Sequence, residues 1–166
     1  MSGNFPNSDK TTDPIRETDA DARALASDLI TQVRTASLGV IDPVDGSPMV
    51  TRVALVRLSA GPLVSLISTL SYHTQALRTD PRCSLLISAP STKGDPLNEP
   101  RLTLKAKAIE TEKDKAREDY LSLYPKAKLY FDFGDFQMFH FKVTQGLLNG
   151  GFGKAYRLEA VDLGIQ

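Results

Sequence analysis

Hydrophobic residues recur at three- and four-residue steps within residues 19–35, and this spacing predicts an amphipathic helix. Thr18 or Asp19 can cap its start through a side-chain oxygen. Residues 1–18 are polar and rich in Ser, Asn, Thr and Asp. We therefore expect a flexible N-terminal tail over residues 1–18 and a single domain over residues 19–166.

After this helix the pattern changes to short apolar runs and alternation, which predict β-strands joined by turns. The predicted strands are 36–42, 49–58, 63–68, 82–88 and 101–110, with one or two more within the aromatic stretch 128–158. A short helix precedes Asp80-Pro81, and a second is expected from Thr111 to Leu123. Few helices are long enough for parallel crossovers, so the pattern predicts a mainly β fold, a small antiparallel barrel with flanking helices.

The composition points to no particular polymer partner. Basic and acidic residues number 20 each, so the formal net charge is zero, and we expect neither nucleic acid nor a membrane as partner. No apolar run approaches the roughly 18 residues of a membrane helix, and no secretory signal is evident, so we expect a cytoplasmic protein. The single cysteine, Cys83, excludes an internal disulfide and is expected to be buried. Asp132 and Asp135 flank a glycine and are interpreted as turn residues.

The short helix has an unusual number of hydrogen-bonding side chains at its start: Ser68, Thr69, Ser71, His73 and Thr74. A helix N-terminus offers unpaired N–H groups and a partial positive charge, and phosphate binds there readily. The alternative interpretation is ordinary capping, in which Ser71 satisfies the first turn and the other side chains face water.

Basic side chains lie on the predicted strands and make an anion the more attractive interpretation. Arg52 and Arg57 are five residues apart, so a regular strand would direct them to opposite faces unless a bulge intervenes. Arg101 begins the fifth strand, and Lys105 and Lys107 follow on it. Each arginine could instead reach solvent from a barrel edge.

A glycine-rich stretch, "NGGFGKA" at residues 149–155, matches neither a dinucleotide nor a Walker pattern. Its glycines allow positive φ or a close backbone approach, as in a tight loop between two strands. Phe152 and Lys154 at its tip could instead contact a flat, negatively charged ligand.

Together these segments resemble the FMN-binding split barrel of the pyridoxamine 5′-phosphate oxidase superfamily. "TRVALVRL" resembles the family's R-x-V-L-L-K strand, and "STLSYHTQAL" resembles its T-N-x-x-S-R-K segment, with His73 and Thr74 where the family has arginine and lysine. "GGFGKA" and "PRLTL" resemble more specifically the haem-utilisation (HugZ-like) branch. The resemblance implies a six-stranded antiparallel split β-barrel.

The resemblance also implies a cofactor and a partner: FMN, or less favourably haem, held at the interface of a homodimer that exchanges electrons with a small molecule. The residues that it assigns to the cofactor are Arg52, Val53, Ala54, Leu55, Arg57, Ser68, Thr69, His73, Thr74, Gln75, Arg101 and Lys154. It assigns no metal ligand and no catalytic residue. The expected function is an FMN-dependent oxidoreductase of unknown substrate, with a haem-utilisation protein or a non-enzymatic flavin carrier as alternatives.

Overall fold

The computed structural model describes residues 15–90 and 94–165. Most of the expected flexible tail, residues 1–14, lies outside the described residues. Its last part is in the sheet, because β1 (Ile15–Arg16) pairs in parallel with β9 (Ala155–Glu159). The Thr18 hydroxyl also donates to the Arg157 carbonyl at 2.8 Å. Ile15, Arg16 and Thr18 therefore all have partners at this edge of the sheet.

The predicted first helix is present as α1 (Ala20–Gln32). The Asp19 carboxylate accepts from the Ala22 N–H at 2.8 Å, which satisfies one of the free donors of the first turn. The buried residues Ala22, Ala26, Leu29 and Ile30 form one stripe of this helix, and they pack into the main core. The helix ends three residues earlier than the apolar pattern suggested, since Thr35 already belongs to a strand.

The remaining described strands follow the predicted order. They are β2 (Thr35–Ile41), β3 (Pro48–Ala54), β4 (Val56–Arg57), β5 (Leu63–Ser68), β6 (Arg82–Ser88), β7 (Arg101–Thr111) and β8 (Phe136–Asn149). Two further α-helices are α2 (Tyr72–Thr79) and α3 (Arg117–Leu123). Short 3-10 helices lie at Pro96–Asn98, Asp114–Ala116, Pro125–Leu129 and Ala160–Leu163.

The strand pairings trace a closed circuit. The sheet runs in the order β3-β2-β6-β7-β8, β8 also pairs with β5, and β5 pairs with β4, which continues β3 after a one-residue break. The mainly β fold with flanking helices is therefore confirmed. The pairings differ from a plain six-stranded antiparallel barrel because the described residues form nine strands, one pair of which is parallel.

Two predicted boundaries are wrong for identifiable reasons. The expected strand 49–58 breaks at Leu55, whose N–H donates to the Arg34 carbonyl at 3.1 Å instead of continuing the ladder. The helix expected from Thr111 begins only at Arg117, because β7 continues to Thr111 and pairs there with Met138. Tertiary pairing thus overrides the local capping pattern.

The sheet has one buried and one outward face. Leu38, Leu85 and Leu104 lie opposite one another on β2, β6 and β7 and are fully buried. Their neighbours in sequence point outward because side chains alternate along a strand. A smaller second core around Tyr120 and Phe131 packs beneath α3.

Candidate functional site

The hydroxyl-rich segment lies where β5 ends and α2 begins, and we call residues 68–75 the β5–α2 junction. Several of its polar groups already hydrogen-bond to other groups of the protein. The Ser68 hydroxyl donates to the Asp135 carboxylate at 2.6 Å, and the Thr69 N–H donates to the Asp135 carbonyl at 2.6 Å. Asp135 is therefore more than a turn residue, because it ties the junction to the start of β8. Its negative charge also opposes a phosphate placed beside Ser68.

Thr74 has its hydroxyl committed as well. Thr74 is fully buried, and its hydroxyl donates to the Ser68 carbonyl at 2.7 Å. Ser71 precedes α2 without making a side-chain cap, although its carbonyl accepts from the Thr74 N–H at 3.0 Å. Two of the hydroxyls that the sequence offered to a phosphate are thus used to hold the backbone of the junction.

His73 differs from its neighbours, because its Nε2 is buried and has no hydrogen-bond partner among the described residues. Burial lowers the pKa of this imidazole, since the charged form loses its hydration. His73 therefore favours the neutral form, which weakens its use as the cationic phosphate ligand that the family's arginine provides. Gln75, the next candidate on α2, is exposed.

The two strand arginines lie at opposite ends of β5. The Ser65 hydroxyl donates to the Ala54 carbonyl at 2.6 Å, which joins the end of β3 to β5. Continuing the antiparallel register of β4 and β5 back along β3 places Arg52 towards the Ser68 end of β5. Arg57 instead pairs with Leu63, the first residue of β5. At the usual rise of a strand, Leu63 and Ser68 are about 17 Å apart. Its guanidinium donates to the Gly164 carbonyl at 2.7 Å.

The structure therefore does not bring the predicted phosphate ligands together. Arg52 is exposed, has no hydrogen-bond or ion-pair partner among the described residues, and lies near the junction. Arg57 belongs to the other end of β5, where it ties β4 to the C-terminal segment. Along the strand between them, Val53 and Leu55 are buried in the main core, so only Ala54 and the backbone could face a flavin ring.

Arg101 and Lys154 form a separate group at another edge of the sheet. Arg101 lies opposite Asn149 on β8, and Asn149 lies opposite Ala155, which follows Lys154. The Arg101 guanidinium donates to the Leu97 carbonyl at 2.7 Å and borders a cavity of about 460 Å³. Lys154 is exposed on the glycine-rich loop. Gly151 and Gly153 adopt positive φ there, which allows the chain to make the tight turn between β8 and β9.

A larger cleft lies on the outward face between β3 and β7, and we call it the sheet cleft. Its volume is about 580 Å³, within the range of small-molecule sites. Cross-strand register places Val50, Gly39, Ser84 and Lys105 in one row across it. The small residues Gly39 and Ser84 form its floor, and Val50, which is 70 % exposed, forms a side wall.

The opposite wall of the sheet cleft is cationic. Lys105 and Lys107 border it from β7, and the side-chain ammonium group of each is exposed without a hydrogen-bond or ion-pair partner among the described residues. Lys107 lies directly opposite Arg82 on β6 and Lys142 on β8, so one row carries three positive charges. Arg82 is neutralised by Asp80, at 2.5 Å, which lowers the pKa of that carboxyl to about 2.

Sequence reasoning noted Lys105 and Lys107 but did not assign them to the site. Alternation alone placed them on one face of a strand. That Lys107 lies opposite Arg82 depends on the pairing with β6, and that it lies opposite Lys142 depends on a register shift in the pairing with β8, between Lys105 and Ala106. No pattern within a single strand shows that register. Within residues 15–90 and 94–165, no cluster of three His, Cys, Asp or Glu side chains could hold a metal ion, and no helix could span a membrane.

Comparison with known proteins places the whole barrel in one family. The family model described as "CREG, beta-barrel" matches residues 17–162. Among curated proteins, the chain is similar to the noncanonical haem oxygenase HOZ, chloroplastic, of Arabidopsis thaliana, with 37 % identity over 95 residues. That alignment covers 55 % of this chain and 28 % of the relative.

Two solved structures extend the comparison. A haem binding protein from Mycobacterium smegmatis has a TM-score of 0.79 at 28 % identity, covering 89 % of this chain and 61 % of that one. A Clostridium acetobutylicum protein of the pyridoxinephosphate oxidase family has a TM-score of 0.63 at 14 % identity, covering 88 % and 99 % of the two chains. The second likeness shows the fold alone. This chain spans less than two thirds of the Arabidopsis and mycobacterial proteins.

Proposed function

Because the chain belongs to the CREG beta-barrel family, we propose that it is a haem-binding split-barrel protein. The observation that carries the proposal is the sheet cleft, which combines a small-residue floor, an apolar wall and unpaired lysines on one outward face. Haem is a flat apolar ring that bears two carboxylates. An apolar surface with a cationic rim is complementary to such a ligand.

The relatives support haem more directly than FMN. The mycobacterial protein is described as haem binding, and the Arabidopsis relative as a haem oxygenase. This chain matches only part of each of these longer proteins, so the activity of either whole protein is a proposal for this chain. The likeness to the pyridoxinephosphate oxidase family is a likeness of fold.

The described residues fit the organic part of haem. Val50 and the floor at Gly39 and Ser84 would contact the ring, and Lys105 and Lys107 would bind its carboxylates. Bound haem would supply redox chemistry that the side chains themselves lack. The contribution of the chain would be to orient the ring against the sheet and to shield one of its faces from water.

FMN remains a second candidate because of Arg52. That guanidinium is exposed, unpaired among the described residues, and located near the β5–α2 junction. A flavin phosphate there would have Arg52 as its main charged partner, since the hydroxyls of Ser68 and Thr74 already donate elsewhere. An FMN-dependent oxidoreductase acting with a small-molecule electron donor or acceptor is the corresponding function.

We also propose that the protein forms a homodimer through the outward sheet face. Leu86 and Leu147, which do not border the sheet cleft, are exposed there, at 38 % and 36 % respectively. Exposed apolar side chains on one face favour association with a second copy. Light scattering on the purified protein should give a mass of two chains, and a mass of one chain at micromolar concentration would contradict the dimer.

Haem binding is tested by titrating the purified full chain with haem and recording the visible spectrum. We expect a saturable shift of the Soret band and co-elution of haem with protein on gel filtration. A parallel titration with FMN, followed by desalting, tests the second candidate. A linear haem response equal to that of buffer, together with retained FMN, would reverse the order of the two proposals.

A further inference from the structure

We infer that the sheet cleft recognises the two carboxylates and the flat ring of a tetrapyrrole, and that the iron contributes little to binding. The ligand class is then a tetrapyrrole dicarboxylate with or without a metal. This inference rests on the proposed haem-binding function and extends it to the basis of recognition. Three features of the sheet cleft support it: the lysine charges on one wall, the floor of small residues, and the lack of strong iron ligands among the described lining residues.

The charges come first. Lys107 lies between Arg82 and Lys142 in a single cross-strand row, and Lys105 is two residues away on the same face of β7. Like charges directly opposite one another in a sheet are destabilising. Asp80 neutralises Arg82, but Lys105, Lys107 and Lys142 have no acidic partner among the described residues. In a chain with zero formal net charge, this local excess of positive charge beside the cleft favours the binding of an anion.

The floor explains why the anion should be flat. Between Val50 on β3 and Lys105 on β7 lie only Gly39 and Ser84, across three strand spacings or about 14 Å. An added Cβ at Gly39 would have Ser84 as its nearest neighbour, at 3.7 Å, so the position is small without being crowded. The open floor suits an extended ring that lies parallel to the sheet.

Among the described residues, those lining the cleft offer no strong iron ligand. Neither His73 nor His140 borders it. Cys83 borders it, but its thiol is buried and points to the Ala106 carbonyl, with Sγ at 3.6 Å from the oxygen. Burial raises the pKa of this thiol to about 12, which keeps it protonated and a poor ligand. Met49 packs against the main core.

The test compares haem with iron-free protoporphyrin IX, which keeps the ring and both carboxylates. Each is titrated into the full chain, the first by absorbance and the second by fluorescence. If the carboxylates and ring carry recognition, the two dissociation constants should agree within about threefold, a difference of ~0.7 kcal/mol.

A variant then locates the carboxylates. Lys105→Gln with Lys107→Gln should weaken both ligands at least about tenfold, as expected for lost charge-assisted hydrogen bonds. Lys126→Gln with Lys128→Gln is the matched control. It removes the same charge from two exposed lysines with the same spacing that do not border the cleft. Circular dichroism and thermal unfolding should show both variants folded.

The outcomes separate the inference from the function on which it rests. Haem binding without protoporphyrin IX binding would overturn the inference and leave the proposed function intact, because the iron would then be the recognised group. Equal affinities in the cleft variant and its control would overturn the assignment to the sheet cleft. Failure of the wild-type chain to bind either molecule would overturn the proposed function itself.

Discussion

The β5–α2 junction and the sheet cleft both contain the side chains expected of an anion site, but they use them differently. At the junction, the Ser68 and Thr74 hydroxyls donate to Asp135 and to the Ser68 carbonyl, so the polar groups satisfy one another. In the cleft, the ammonium groups of Lys105 and Lys107 have no partner among the described residues. The difference shows that an anion site needs hydrogen-bond donors that have no partner within the folded protein. Counting the donors in the sequence does not reveal which of them have no partner.

The largest expected effect comes from filling the cleft. Gly39→Val would place a β-branched side chain on the floor of the cleft, where a strand accommodates it and a flat ring would meet it. We expect haem affinity to fall more than about tenfold, which is ~1.4 kcal/mol, with little change in thermal stability. Absorbance titration and thermal unfolding measure the two quantities.

The matched control for this prediction lies in the same row. Ser84→Ala leaves the floor open and should bind haem like the wild-type chain. Undiminished haem binding in a normally folded Gly39→Val variant would mean that the ring lies elsewhere. The sheet cleft would then no longer be the anion site with which the β5–α2 junction is contrasted.

The next effect concerns FMN at the junction. Arg52→Ala should weaken FMN binding by about 1.5–3 kcal/mol, the usual value of a hydrogen bond to a charged group, and should leave haem binding unchanged. Isothermal titration measures both. Arg157→Ala is a suitable control, because Arg157 is exposed and lies across the sheet in the row that contains Arg52. Equal FMN affinity in the two variants would remove the junction as a flavin site.

A smaller effect on stability tests whether Thr74 is structural. Thr74→Val keeps the shape of the buried side chain but leaves the Ser68 carbonyl without the donor now at 2.7 Å. We expect the free energy of unfolding in urea to fall by about 1–2 kcal/mol and ligand affinities to stay constant. Thr79→Val, at an exposed position of the same helix, should cost less. A loss of FMN affinity without a loss of stability would instead return Thr74 to the binding site.

These contrasts also explain which features of the fold and of the site could be predicted from the sequence. The strand order and the short helix before Asp80-Pro81 follow from alternation and turn chemistry, which are local. The break at Leu55 and the continuation of β7 to Thr111 depend on partners far along the chain, Arg34 and Met138. The same limit applies to the site. The number of hydroxyls near Ser68 is visible in the sequence, whereas the hydrogen bond from the Ser68 hydroxyl to Asp135, 67 residues away, is not.

The smallest expected effect is a pH dependence confined to the junction. Burial lowers the pKa of His73 below its ordinary value of 6.5, so the unfolded chain binds a proton there more readily than the folded chain does. Its contribution to stability is therefore fully present above about pH 6.5 and is lost as the pH falls through the folded pKa. We expect the urea midpoint to decrease between pH 7 and pH 5.5, and His73→Gln to reduce that slope. Protoporphyrin IX affinity at pH 7 should be the same for both chains, since His73 does not border the sheet cleft. An unchanged slope in His73→Gln would show that the buried Nε2 has a partner in solution, and the junction would then be fully satisfied.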